Sequence, residues 1–324
     1  MDQDREIDRP KVSVIMPVYN TAEFVGEALG SILNQSLKEI EIIVIDDGST
    51  DDSVAVIRRL AASDERIHLH LQGNCGPSRS RNRGVEIANG EYLYFMDSDD
   101  LLEPDALGLC YRLASDRQLD FLFFDAVSFS SEGLETDETI YRRTYLFDEL
   151  VTYTGVELVN RMVDYNLYRA SVCLNFIDAG FLKRNSILFF PDIIHEDELF
   201  TARLYLSATR VACLKRDLYR RRIRSGSITT TRFSERNIEG YLMVVRELKQ
   251  IYDENRELRA TAERIISYVL NPAIYNSKGL LLRQRVDILI YCSRHRLLTY
   301  LKTRSIAVML FPWLITIKKL FKRQ

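Results

Sequence analysis

The stretch EYLYFMDSDD, Glu91–Asp100, decides the fold, because an apolar, aromatic-rich run of strand length ends abruptly in three acids within four residues. Apolar runs of this length, rich in aromatic and β-branched side chains, read as buried strands. Carboxylates one residue apart at a strand end can share a hard divalent cation, whose remaining positions accept phosphate oxygens and water. The competing reading is a helix cap ahead of Leu101-Leu102. A cap needs one acid, so Asp97, Ser98 and Asp99 read as a metal and diphosphate site.

Upstream, the chain alternates strands and helices. VSVIMPV (Val12–Val18) is a β-branched run broken by Tyr19-Asn20. Residues 22–35 place Phe24, Ala28, Ile32 and Leu33 on one helical face. IEIIVID (Ile40–Asp46) is a second buried strand, ending in the turn Asp47-Gly48-Ser49-Thr50. Asp51-Asp52-Ser53 opens a helix with Val54, Ile57 and Leu60 on one side, a place where acids suit the helix dipole. A strand at Ile67–Leu71 and a helix at Ser78–Ala88 follow. Continuous apolar strands separated by single helices imply a parallel sheet buried on both faces, with right-handed crossovers. Ligands of such sheets bind beyond the carboxyl ends of the strands, which is where Tyr19-Asn20, Asp46-Asp47 and Asp97–Asp99 all fall.

Downstream, the patterns predict a helix near Pro104–Ala114, a strand at Phe121–Phe124 and irregular chain from Ser130 to Glu149. Helices near Gly155–Val163 and at His195–Ser207 and a strand at Val211–Tyr219 complete this part. From Ser234 the pattern is helical, with Pro272 and Gly279 expected as breaks. The expected organisation is a polar segment at 1–10, an α/β domain at 11–232 and a helical region at 233–324.

The 324 residues are 46% hydrophobic and 28% charged, ordinary for a protein with a sizeable core. The net charge of −2 conceals an asymmetry: from Lys278 onward there are 11 Lys or Arg and one acid, Asp287. Five scattered cysteines form no C-x-x-C pair and read as reduced structural thiols of a cytosolic chain. The polar start MDQDREIDRP lacks the apolar run of a secretory signal.

Other candidates have two readings each. Asp46 and Asp47 suit an acceptor for a base N–H or ribose hydroxyl, or a tight turn. Arg79, Arg81 and Arg83 offer guanidinium forks for a diphosphate, or solvated helix charge. Glu196 and Asp197 offer a carboxylate general base, or dipole-stabilising acids in a first helical turn. YRRRIRSGSI (Tyr219–Ile228) is a phosphate-closing loop or a basic surface turn.

In order, VSVIMPVYN, IEIIVIDDGSTDDS, GPSRSRNRG with NGEYLYFMDSDD, HEDELF and YRRRIRSGSIT resemble the family 2 inverting glycosyltransferases over roughly residues 11–230. The resemblance implies the glycosyltransferase-A fold: an α/β, mostly parallel Rossmann-like sheet flanked by helices, here with a C-terminal helical extension. It also implies a nucleotide-sugar donor, commonly a uridine-diphosphate sugar, and a saccharide or lipid-linked acceptor. By the same resemblance Pro17 and Tyr19 lie beside the base, Asp47 accepts from its N–H, Asp46 supports that turn and Arg81 approaches the diphosphate. Asp97 and Asp99 form the D-x-D motif, with Asp99 the more direct Mn²⁺ or Mg²⁺ ligand. Asp197 is the implied base with Glu196 its neighbour, and Arg222, Arg224 and Ser227 fall on a less uniform element. Pro77-Ser78 and Ser80 occupy positions where small residues such as Ala are frequent, a small departure from the family pattern.

Ile306–Ile317 followed by Lys318-Lys319-Leu-Phe-Lys-Arg323 is too short to span, since twelve helical residues reach ~18 Å against a ~30 Å hydrocarbon core. With Phe311, Trp313 and Phe321 beside lysines it suits an anionic membrane surface at the inner face of the plasma membrane. The alternative is a helix docked on the domain or in a homo-oligomer interface. A dehydrogenase or nucleotidyltransferase would want a Gly-rich phosphate loop where this chain has PVYNTAEF. A non-catalytic nucleotide-sugar-binding or scaffold protein is a further alternative. The basic tail mixes with long aliphatic runs, which argues against nucleic acid.

Overall fold

A computed structural model describes residues 9–130, 132–224 and 233–314. The strands are β1 Val12–Val18, β2 Ile40–Asp46, β3 Ile67–Leu71, β4 Tyr92–Phe95, β5 Leu101–Leu102, β6 Phe121–Phe129, β7 Asn175–Asp178 and β8 Val211–Arg222. The helices are α1 Val25–Leu33, α2 Ser53–Ala61, α3 Pro77–Ile87, α4 Ala106–Arg117, α5 Gly155–Asp164, α6 Ala179–Arg184 and α7 Glu196–Ser207, then α8 Glu235–Glu254, α9 Arg259–Asn276, α10 Leu282–Arg294 and α11 Thr303–Leu310. Two compact units form: Met1–Asp192 with Arg203–Ser225, and Ile193–Ala202 with Gly226–Gln324.

The first unit is built on an eight-stranded sheet, order β3-β2-β1-β4-β7-β6-β8-β5. β3, β2, β1 and β4 run parallel, as the buried apolar runs require. β7 is antiparallel to both β4 and β6, and β5 is antiparallel to β8. The chain winds outward from β1 to β3 and returns to β4 on the other side of β1, so the strand order reverses between β1 and β4. That switch point is where an open α/β sheet presents a crevice at its carboxyl edge.

Several local expectations change. Leu101-Leu102 pairs with Tyr219 and Arg220 as β5, and the next helix begins at Ala106, with Asp105 as its N-cap residue. Asp97–Asp100 therefore cap no helix. The buried face of α1 is Val25, Ala28, Leu29 and Ile32, while Phe24 is half-exposed and serves the arginines described below. Of the α2 face, Ile57 is buried and Val54 and Leu60 are intermediate. β6 and β8 extend beyond their apolar cores because they pair with each other as far as Phe129 and Arg222.

Gly155 opens α5 against the end of α7, its N–H donating to Ala208 O at 2.9 Å. A Cβ there would fall well inside contact distance of the Tyr205 carbonyl. Because the obstacle is backbone, relief requires moving a whole helix end. Gly155→Ala is expected to cost about 2–3 kcal/mol, the upper range of overpacking. Differential scanning calorimetry should register a melting point lower by roughly 5–10 °C.

In the second unit α8 and α9 bury Val244, Val245, Leu248, Ile265, Ile266 and Leu270. Pro272 lies inside α9 rather than breaking it. The missing N–H costs ~3 kcal/mol in a free helix, but Val269, Leu270, Ala273 and Ile274 are buried around it. Asn271 ties the same turn to later chain, donating to Tyr300 O at 2.9 Å and accepting from Lys302 N at 2.7 Å. α11 ends at Leu310, because Phe311 precedes Pro312 and such residues disfavour the helical region. Among the described residues no helix is long and apolar enough to cross a membrane. Ser227 and Phe321 lie outside the described residues, as does the tail beyond Leu314.

Candidate active site

The carboxyl ends of β1, β2 and β4 hold three polar clusters, knitted to one another. Tyr19 is exposed, Pro17 is half-buried, and Asn20 takes the left-handed conformation, φ 51°. Asn20 Oδ1 accepts from Thr50 N at 2.8 Å, and Asn20 N donates to Ser49 Oγ at 3.0 Å. Thr21 Oγ1 donates to Ser98 Oγ at 2.9 Å, joining the β1 end to the D-x-D segment.

Asp46 is buried, and its Oδ2 accepts from Gly48 N at 3.2 Å and Ser49 N at 3.1 Å. Among the described residues its buried Oδ1 has no hydrogen-bond partner. Asp47 Oδ1 accepts from Gln72 Nε2 at 2.8 Å and Cys75 N at 3.0 Å, and Oδ2 from Gly76 N at 2.7 Å. Burial pushes its carboxyl upward, but these hydrogen bonds outweigh it and hold it below the usual range. Both Asp47 oxygens are thus engaged in shaping the 72–76 loop, and a base N–H would share or displace one of those donors. Gly48 is required between them, with φ 79° and a would-be Cβ 2.9 Å from Asn74 N. The loop was not among the sequence candidates, because it contributes mainly backbone N–H groups, which side-chain patterns do not advertise.

Arg81 is buried on α3, its Nη2 3.0 Å from Asp97 Oδ1 and its guanidinium 5.2 Å from the Phe189 ring centroid. Its neighbours point elsewhere. Arg79 pairs with Asp192 on the surface at 2.7 Å, and Arg83 donates to Leu71 O and Gln72 Oε1. Asp99 Oδ2 accepts from Arg224 Nε at 2.9 Å. Asp100 is sequestered, accepting from Tyr219 Oη and from Arg222 N, both at 2.6 Å. Arg222, on the last residue of β8, donates to Asp99 O at 2.8 Å and pairs with Glu27 at 2.6 Å. The Phe24 ring lies 5.2 Å from the Arg222 guanidinium and 5.1 Å from that of Arg224. Residues 219–222 therefore form strand, not a surface turn, and Glu27 and Phe24 join the site without having been site candidates in the sequence.

Burial and mutual repulsion oppose the charge on two of these acids. Burial, then repulsion from Asp97, raises the Asp99 carboxyl despite Arg224. Burial, then Asp99 and Asp97, pushes Asp100 well above its usual range. Among the described residues no group of three or more His, Cys, Asp or Glu side chains is placed to hold a metal alone. A divalent cation here would rest on Asp97 and Asp99 and complete its shell with phosphate oxygens and water, the usual mode for Mg²⁺-type ions.

Glu196 and Asp197 belong to the other unit, in the first turn of α7 and half-buried. The turn before them is held by α8. His195 has φ 71°, its ring stacks on Tyr241 at 4.0 Å, and its Nε2 lies 3.3 Å from Asn237 Nδ2. Burial lowers the His195 pKa, which Glu196 only partly opposes. Gly240 permits the approach, since a Cβ there would meet the Ile194 carbonyl.

The family model of glycosyl transferase family 2 matches residues 13–174, half of the chain. Glycosyltransferase GlyG of Streptococcus pneumoniae is 30% identical over 229 residues, 68% of this chain and 74% of that protein. The GalNAc(5)-diNAcBac-PP-undecaprenol beta-1,3-glucosyltransferase of Campylobacter jejuni is 36% identical over 148 residues, 42% of this chain and 48% of that protein. Among solved structures, S. aureus TarS 1–349 in complex with UDP-GlcNAc matches with a TM-score of 0.67 at 23% identity, covering 86% of this chain and 79% of that one. The sheet with its flanking helices is the glycosyltransferase-A fold. With strand-end acids at its switch point and relatives that match most of its length, the chain belongs to glycosyl transferase family 2.

Proposed function

We propose that this chain transfers a sugar from a uridine-diphosphate sugar to a hydroxyl of a saccharide or lipid-linked acceptor, with inversion, in the synthesis of a cell-surface polysaccharide or lipopolysaccharide. The observation that carries this reading is the crowding of Asp97, Asp99 and Asp100 at the β4 end, with Arg81 and Arg224 against the first two. Crowded carboxylates flanked by guanidinium groups suit a metal-bound diphosphate. The UDP-GlcNAc held by TarS and the undecaprenol-linked substrate in the name of the Campylobacter enzyme support the donor and acceptor classes.

In this reading Tyr19 and Pro17 lie along the base, Asp47 and Asp46 hold the nucleoside end, and Asp97 and Asp99 hold Mn²⁺ or Mg²⁺. When bound, such an ion acts as a Lewis acid toward the departing diphosphate. Ser98, tied to Thr21, fixes the segment between the two acids. Arg81 and Arg224 give fixed donors to the charge that develops on the leaving group, while Arg222 holds the Asp99 carbonyl. Asp197 takes the proton of the acceptor hydroxyl, with Glu196 beside it, as that oxygen attacks the anomeric carbon from the face opposite the diphosphate. The basic C-terminal segment keeps the enzyme peripheral to an anionic membrane on its cytoplasmic face.

A thermal-shift screen of nucleotide sugars with and without Mn²⁺ tests the donor site. A ligand at a hundred times its Kd stabilises the folded state by ~2.7 kcal/mol, roughly 5–10 °C for a unit of this size. A uridine-diphosphate sugar should give that rise with Mn²⁺ and much less without it. No rise with any nucleotide sugar would overturn the reading.

A further inference from the structure

A surface helix normally turns its apolar stripe inward and shows polar residues to water. α10 does the first, burying Ile288 and Cys292, but not the second. Leu282, Val286 and Ile290, spaced four residues apart, run down its outer face, and Leu281 precedes them. All four are 42–72% exposed. Scattered exposed leucines need no explanation, but these are contiguous. Another element ends beside the same helix. Arg285 Nη1 donates to Met309 O at 2.8 Å and to Leu310 O at 3.3 Å, fixing the end of α11 beside the first turns of α10. Phe311 and Trp313 follow at once, half-exposed and edge-on to one another at 6.2 Å.

The charge around this patch selects its occupant. Arg283, Arg294, Arg296, Lys302 and Arg304 are exposed on α10 and the chain after it, with Asp287 as the only acid beyond Lys278. A second copy would bring the same cations against these, and like charges brought together oppose association. An anionic bilayer meets both demands, with headgroups for the arginines and an acyl boundary for the aliphatics and the aromatic pair. We infer that the outer face of α10, with Phe311 and Trp313, is a docking surface for an anionic lipid bilayer. This rests on the membrane placement proposed above and adds the outer face of α10 to its apolar anchor at Phe311 and Trp313.

The full chain should float with phosphatidylcholine vesicles containing about one quarter phosphatidylglycerol, and not with phosphatidylcholine alone. The combined variant Leu282→Ser, Val286→Ser and Ile290→Ser should partition at least ~10-fold more weakly, since it removes three interfacial aliphatic side chains. Its melting point should stay that of the parent, because exposed substitutions rarely disturb folding. Truncation after Leu314 separates the two readings. Loss of flotation on truncation with an unaffected triple variant would overturn the α10 site and leave the tail. Equal binding to neutral vesicles would overturn the charge argument. A concentration-dependent dimer in sedimentation velocity that the triple variant abolishes would assign the patch to a second copy, and a parent that floats with neither vesicle would overturn both membrane readings.

Discussion

Asp99→Ala is expected to lower kcat/KM for sugar transfer by ~10³-fold or more while leaving the protein as stable as its parent, or slightly more so. Lewis-acid stabilisation of a leaving diphosphate is worth several kcal/mol, and each ~1.4 kcal/mol is tenfold in rate. Asp97 is the more exposed of the pair, at 41% against 22%, and its partner Arg81 is anchored over Phe189. Asp99 therefore stands in the less hydrated place, where a metal ligand counts for more. The stability half of the expectation follows from its raised pKa, which arises first from burial and then from repulsion by Asp97. Burial and repulsion from Asp97 oppose the charge of Asp99, so its removal relieves Asp100 and offsets the lost contact to Arg224. Asp100→Ala is the contrast, because it strips the acceptor from Tyr219 Oη and Arg222 N and should lower the melting point. Calorimetry and a donor–acceptor assay on the two variants decide it. Asp99→Ala with transfer within a few-fold of the parent would remove Asp99 from the site.

How much of this was legible in the sequence depends on where the signal lives. β1, β2 and the β4 end were readable because strands buried on both faces must be continuously apolar and must stop where the chain meets solvent. β7 was not, since Asn175–Asp178 is only four residues with a polar one at each end, and its strand state comes from pairing with β4 and β6. Leu101-Leu102 likewise becomes strand only because β8 arrives alongside it. In the site, the strand-end acids announced themselves through local density of charge. The partners that define them did not: Arg222 meets Glu27 and Asp99 from more than a hundred residues away, and Gln72, Cys75 and Gly76 hold Asp47 largely through backbone N–H groups. Pattern reading found the carboxylates and missed their counter-groups, because sequence spacing encodes neighbours on one element and not across a sheet.

Asp197→Asn should reduce kcat by ~10²–10⁴-fold, the usual worth of general base catalysis, with the donor KM within about threefold of the parent. The substitution keeps the size and the hydrogen-bonding plane of the side chain and removes only its capacity to accept a proton. Its setting argues that shape will be retained: the preceding turn is fixed by the His195 ring on Tyr241, by Asn237, and by the close passage of Gly240 at Ile194. A loss in kcat without a loss in donor binding is therefore not explained by a displaced helix, and the nucleotide-sugar thermal shift should persist. Glu196→Gln, one residue away in the same first turn of α7, should cost at most ~10-fold, as expected of a neighbour that does not itself take the proton. If Asp197→Asn turned over like the parent while Glu196→Gln did not, the base would be Glu196. If both were active, proton removal would belong to a group outside this turn.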